Sequence, residues 1–400
     1  MKLTSDFPFW LLQNGLKYTY PPIDCDLSCD VTVVGGGITG AIIVDRLVQE
    51  GFEVGLVERR DMCTGSTSAS TALLQYEIDV SLIELNELIG SEKASRAYQL
   101  SHRAIDKLEE IALSLNADVG FGRKTSIYLA DNKKMAIQLA QEARARKEIG
   151  LDVTYYNAQE LKETFRIDGS AALASQQAAS CDPHRFAHAL LQRAQQKGAM
   201  LFDRTEVTAF KNDGSNCELT TDRGPTITSK HVVYANGFES QSMLRKRIVD
   251  LDNTYAITSE PLEDIYPWDA NWLLWEAREP YLYLRITADN RLLVGGEDDD
   301  FHSPTRRDRL IERKSAKIEA KVRKLIPDLK WEPAFSWAGT FGKTKDGLAY
   351  IGTNEEFPGA HFALCFGGNG ITFSAIAADM LVDFFTQGHS PDADLFSFDR

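Results

Sequence analysis

The chain has 400 residues, 43% of them hydrophobic and 26% charged, with a formal net charge of −14 at pH 7. That length favours two or three domains around a large core. The acidic balance excludes a nucleic-acid backbone or an anionic membrane as a standing partner, because both need a positive field; the short basic run at 245–247 reads as a solvated helix end.

No stretch approaches the roughly 20 apolar residues of a membrane span. Residues 1–13 carry one Lys and an apolar run broken by Pro8, which is not the pattern of a signal peptide. The six Cys, at 25, 29, 63, 181, 217 and 365, are too scattered for a disulfide framework or a metal site. A cytoplasmic protein with reduced thiols is expected.

In chain order, residues 30–34 form a short β-rich apolar run, as a buried parallel strand requires. A Gly-rich turn follows, then a helix over 38–50 stopped by Gly51 and a second strand over 53–57. This is a β-α-β unit. Residues 79–118 read as helical, 127–130 as a strand and 133–149 as a charged amphipathic helix. A helix over 186–197, with His184 as its cap, leads to strands at 199–202 and 206–210. Residues 217–221 and 226–228 suggest a hairpin, and 231–234 a further strand running into Ala235, Asn236 and Gly237. From about 250 to 300 the strands turn aromatic, at 281–286 and 291–295. A charged helix over 308–325 precedes a last strand (361–365), Gly-rich turn and helix (371–385). Pieces of one α/β fold thus open, interrupt and close the chain, with other structure inserted between them.

Gly35, Gly37 and Gly40 supply G-x-G-x-x-G between a strand and a helix, and Glu58 closes the next strand. The first Gly permits the tight turn, the second lets the backbone approach a pyrophosphate, and the third allows close helix–strand packing. The helix N-terminus offers free N–H groups to phosphate, and Glu58 is placed for the ribose hydroxyls. The loop Gly65, Ser66, Thr67, Ser68, Ala69, Ser70, Thr71 is rich in N–H and hydroxyl donors that suit an extended pyrophosphate. A second Gly-rich turn, 366–373, enters the last helix and can set its dipole against the pyrimidine end of a flavin.

Together with Asp182-Pro183-His184-Arg185, residues 233–237 and the stretch 345–352, these motifs resemble the D-amino-acid-oxidase-type (DAO) family of FAD-dependent oxidoreductases, which includes glycine, sarcosine and γ-glutamylputrescine oxidases. The resemblance spans about residues 28–385. It implies an α/β, Rossmann-like FAD/NAD(P)-binding domain of segmented sequence with an inserted antiparallel-sheet substrate domain. Residues 28–78, 150–242 and 336–400 would form the first, and 79–149 and 243–335 the second. Around the first turn it implies cofactor contacts at Gly35, Gly37, Ile38, Thr39, Gly40, Glu58 and Arg59. In the next loop these are Gly65, Ser66, Thr67, Ser68, Thr71, Leu73 and Leu74. Glu206 and Val207 would flank the adenine, Ala235, Asn236 and Gly237 would line the cofactor, and Gly367, Gly368, Asn369, Gly370, Ile371 and Thr372 would meet the flavin ring.

The family oxidises a C–N bond by hydride transfer to flavin N5, so the implied substrate is a small amine or modified amino acid, with O2 or another acceptor reoxidising the flavin. The Arg that usually clamps a substrate carboxylate is replaced by Phe341, which argues against a simple α-amino acid. No Cys lies between Cys217 and Cys365, where some members attach FAD, so the cofactor is expected to be noncovalent. Leu293 stands where some oxidases place a Lys over the flavin, leaving oxidase and dehydrogenase open. Strand alternation puts Tyr281, Tyr283 and Arg285 on one face, where two phenols could hold a cationic amine and Arg285 an acidic end. Gln75, Tyr76, Lys343 and Lys345 fall near the ring by family position. The alternatives are a hydroxy-acid or glycerol-phosphate-type FAD dehydrogenase, or a flavin-binding partner or sensor without turnover.

Overall fold

A computed structural model describes residues 1–301 and 303–400. Val31 and Val33 are wholly buried, and their strand, Leu27–Val34, pairs in parallel with Val54–Val57 on one side and Thr226–Tyr234 on the other. Met200–Phe202 extends this sheet beyond Val54–Val57, and Ala360–Leu364 beyond Thr226–Tyr234, both in parallel; Tyr350–Thr353 closes the edge antiparallel. A hairpin of Val207–Asn212 and Cys217–Thr221 hangs from Thr226–Tyr234. The parallel sheet therefore draws strands from the start, middle and end of the chain. Helices Ile38–Gln49 and Gly370–Gln387 pack together against it, joined by Arg46 Nε to Asp379 (2.8 Å) and Thr39 Oγ1 to Ser374 Oγ (2.8 Å).

The second sheet runs Pro333–Lys343, Asp250–Pro261, Arg291–Asp299, Leu282–Ile286, Trp272–Glu276, Gly122–Ala130, Ala171–Ser180, Leu73–Gln75, with Thr154–Asn157 paired beside Ala171–Ser180. It is antiparallel except between Trp272–Glu276 and Gly122–Ala130. Helix Pro304–Leu325 covers one end of it, burying Ile318 and Val322. The segmented α/β fold with an antiparallel insertion is what the sequence predicts.

Several boundaries differ, each for a physical reason. The helical stretch 79–118 is two helices, Leu82–Ile89 and Ser91–Ser114, because Gly90 breaks it at φ +87° and Ser81 caps the first. The strands expected at 226–228 and 231–234 are one, Thr226–Tyr234. Its polar interruption at Ser229 is buried and satisfied by Thr32 Oγ1 at 2.9 Å. His184 is not the cap of helix Pro183–Gln196: Asp182 is, accepting from the N–H groups of His184 and Arg185. His184 is instead buried edge-to-face against His188. Residues 150–242 do not belong wholly to the parallel-sheet unit, since Thr154–Asn157 and Ala171–Ser180 pair in the antiparallel sheet, as do residues 336–343. Ala171–Ser180 is too rich in Ala, Ser and Gln to read as a strand; burial between two neighbours overrides its low β-propensity.

Candidate active site

Leaving the first strand, the chain turns at Gly35 with φ +118°, a region that favours glycine, and a Cβ there would lie 2.5 Å from the Ala235 carbonyl oxygen. At Gly40 a Cβ would meet the Gly35 oxygen at 1.9 Å. These two glycines are dictated by backbone meeting backbone. Helix Ile38–Gln49 begins with Gly37, which provides no side-chain cap, and the Ile38 N–H donates to Thr67 Oγ1 at 2.9 Å, hooking the hydroxyl-rich loop onto the helix N-terminus. Glu58 accepts from the N–H groups of Gly36 and Arg60, each at 2.9 Å, which fixes its carboxylate beside the turn.

These elements line a cavity of about 860 Å³ that reaches from the parallel sheet to the antiparallel one. Gly35, Gly37, Ile38, Thr39, Glu58 and Arg59 border it, as do Gly65, Ser66, Thr67, Thr71, Leu73 and Leu74. So do Glu206, Val207, Ala235, Asn236, Gly237 and the whole turn 367–372. Two expected contacts do not. Gly40 packs beneath the turn, and Ser68 is buried, donating its hydroxyl to the Gly65 oxygen at 2.9 Å. The wall suits FAD on structural grounds: two helices, Ile38–Gln49 and Gly370–Gln387, present N-termini without side-chain caps to one cavity, and bare glycine backbone lies where a pyrophosphate must approach.

The loop before strand Leu73–Gln75 is pinned from behind. Trp337 Nε1 donates to the Ala69 oxygen (2.9 Å), Trp10 Nε1 to that of Ser70 (2.6 Å), and Arg285 Nε to that of Thr71 (2.8 Å). Arg285 also donates to the Cys181 oxygen at 2.8 Å and is 1% exposed. It shares a strand face with Tyr281 and Tyr283 as alternation predicts, yet it does not border the cavity. Its guanidinium is spent on backbone carbonyls, so it cannot meet a substrate's acidic end. The Trp10 and Trp337 donors carry no motif, and no pattern in the sequence announces them.

Of the other expected substrate contacts, Gln75, Tyr281, Tyr283 and Lys343 border the cavity. Tyr283 lies against Gly295, where a Cβ would sit 2.3 Å from its ring, and its hydroxyl is 3.1 Å from Thr254 Oγ1. Lys343 pairs with Asp252 at 3.0 Å. Tyr76 is wholly buried away from the cavity, accepting from Arg146 at 3.3 Å, and Lys345 is exposed outside it. Phe341 does border the cavity; Leu293 is buried among Phe9, Trp10, Ala256 and Trp337 instead. The sequence reading missed Glu77, Asp79, Tyr128, Trp275 and Glu279, all on this wall. Glu77 and Asp79 lie at i and i+2 just past the Ser/Thr loop, the signal that was there to find.

Comparison with known proteins agrees with this geometry. The family model described as FAD dependent oxidoreductase (DAO) matches residues 30–384. Glycine oxidase of Geobacillus kaustophilus is 26% identical over 370 residues, covering 88% of this chain and 92% of that protein. γ-Glutamylputrescine oxidoreductase of Escherichia coli is 23% identical over 402 residues, covering 94% and 89% respectively. The crystal structure of the G. kaustophilus glycine oxidase superposes with a TM-score of 0.77 at 24% identity, over 93% of this chain and 98% of that one. No helix among the described residues is long and apolar enough to cross a membrane. The chain belongs to the DAO family of FAD-dependent oxidoreductases.

Proposed function

We propose that the protein oxidises a C–N bond of a small amine or modified amino acid in the cytoplasm, with O2 or another acceptor completing the cycle. One observation carries this: the cavity bordered by the dinucleotide turn and by the turn 367–372 continues, unbroken, onto Tyr281 and Tyr283 of the antiparallel sheet. The names of the glycine oxidase and γ-glutamylputrescine oxidoreductase relatives support the same substrate class.

Bound FAD would supply the two-electron acceptor for a hydride from the carbon bearing nitrogen, the N–H proton leaving to water or a carboxylate and the resulting imine hydrolysing to carbonyl and amine. This chain's residues would orient the donor. Tyr283, held by Thr254 and backed by Gly295, and Tyr281 beside it would position the amine and its chain. Gln75, anchored to Ser126 Oγ at 3.3 Å, would present its amide from the opposite strand end.

The test is an absorbance spectrum of the purified protein, then anaerobic addition of amines and amino acids. Flavin bleaching by an amine or amino acid is expected, and the rate of reoxidation in air separates oxidase from dehydrogenase. Bleaching only by glycerol 3-phosphate or a hydroxy acid would move the assignment to that class of dehydrogenase. A colourless protein that takes up no FAD would sink it.

A further inference from the structure

The substrate end of the cavity is walled by rings and carboxylates. Tyr128 and Trp275 stack with centroids 3.7 Å apart and planes at 13°, and Tyr281 and Tyr283 stand 5.6 Å apart; all four border the cavity. Glu77 and Asp79 follow strand Leu73–Gln75, and Glu279 lies between Trp272–Glu276 and Leu282–Ile286.

These groups act on one another. Burial, then the charges of Asp298, Asp79 and Glu279, push the Tyr281 hydroxyl well above its ordinary pKa. Burial also raises Tyr128 to about 12, with Glu142, Asp79 and Glu77 acting against Arg146. Asp79 is exposed at the cavity wall, where it accepts from the Gly368 N–H at 2.8 Å; desolvation raises its pKa against that N–H and Lys343. Glu77 is 4% exposed, and its Oε2 has no hydrogen-bond partner. Its other oxygen is 3.8 Å from Arg146, a guanidinium already bonded to Glu142 at 2.8 Å.

The cations on the wall are already engaged. Lys343 pairs with Asp252, Arg278 with Glu276 and Asp131, Arg59 with Glu206 and Glu239, and Arg60 with Glu239. Among the described residues none is left free to receive a carboxylate.

We propose that this end is a cation cage and that the substrate is a dication: a reacting amine joined by a short alkyl chain to a second ammonium, with no carboxylate. The inference rests on the amine-oxidation reading and narrows it. The amine that gives up hydride must be neutral, since its lone pair drives the loss. A monoamine would therefore bring no positive charge to Glu77, Asp79 and Glu279 at the moment of reaction. A second ammonium stays charged throughout, and both ring faces and carboxylates attract it. A substrate carboxylate would meet the like charges of Glu77, Asp79 and Glu279 and no unpaired cation among the described residues of the wall.

N-methylputrescine, N-methylbutylamine and N-methyl-4-aminobutyrate share an N-methylamine on a chain of comparable length and end in ammonium, methyl and carboxylate respectively. The FAD-loaded protein is mixed anaerobically with each, and the second-order rate constant of bleaching is read. The dication is expected to lead the methyl-ended amine by about tenfold, the size of one cation–π or partly screened ion-pair contact, with the zwitterion slowest. Asp79→Asn and Glu279→Gln should each shrink that lead, and their FAD content and melting temperature report folding. A zwitterion that reacts fastest, or a lead untouched in both variants, overturns the proposal. If glycine or sarcosine bleaches the flavin and the dication does not, the cage falls while amine oxidation stands. If only glycerol 3-phosphate bleaches it, the underlying reading falls. If no compound bleaches it, the Kd values from flavin spectral perturbation by the three amines decide in the same order.

Discussion

At one end of the cavity the wall is backbone: Gly35 against the Ala235 carbonyl, Gly40 against that of Gly35, and a helix N-terminus whose N-cap, Gly37, has no side chain. At the other end it is side chains: Tyr128 on Trp275, Tyr283 over Gly295, and Glu77 and Asp79 just past the strand end. A backbone wall admits no Cβ, so its residue types follow from geometry and leave a motif. A side-chain wall can change its chemistry while the strands beneath keep their register. The cofactor end is therefore constrained by backbone geometry, and the substrate end is free to carry its own chemistry.

The sharpest way to break that comparison is at Gly40. In Gly40→Val the Cβ would lie 1.9 Å from a backbone oxygen that has nowhere to go. The variant should lose bound FAD and about 3 kcal/mol or more of stability. Flavin content and denaturant unfolding measure both; a yellow protein with the parental midpoint would show that the turn can yield.

Arg285 tests which side of the comparison a buried cation belongs to. Arg285→Leu leaves the Thr71 and Cys181 carbonyls without their donors, at a cost of about 2–4 kcal/mol. The order of substrate preference should be unchanged. Intact stability with altered preference would return Arg285 to the substrate end.

Asp298 gives the smallest effect and a signed one. Burial raises its pKa to about 6, helped by Asp252 and opposed by Lys343 and Lys314. The folded protein thus keeps a proton that the unfolded chain has released, so stability falls as pH rises from about 4 to about 6 and is level above. Asp298→Asn should be more stable than the parent by about 1–2 kcal/mol at pH 7 and equal to it near pH 4. Unfolding midpoints at the two pH values check this; an equal gain at both would mean the carboxylate's charge is not the cause.

The parallel sheet, its two helices and the FAD turn were legible in the sequence because each rests on local pattern: apolar runs, G-x-G-x-x-G and a Gly-rich entry to the last helix. The expected cofactor residues from Gly35 to Thr372 come from the same motifs and the resemblance they carry, and all but Gly40 and Ser68, which serve packing, border the cavity. The substrate side was half legible. Alternation put Tyr281, Tyr283 and Arg285 on one face, but whether that face meets a cavity or a loop carbonyl changes within one strand. Periodicity reports the face and nothing of what lies across from it.

Sequence by itself determined a dinucleotide site, because close backbone approach demands glycine at particular spacings, and the resemblance of its later motifs to the DAO family narrowed that to FAD and a segmented fold. Only tertiary structure decided that Ala171–Ser180 is a strand paired on both sides, that Trp10, Trp337 and Arg285 pin three successive carbonyls, and that Glu77, Asp79 and Glu279 border one cavity with four rings. Those groups come from distant parts of the chain, and what each can do depends on the partners that folding brings to it.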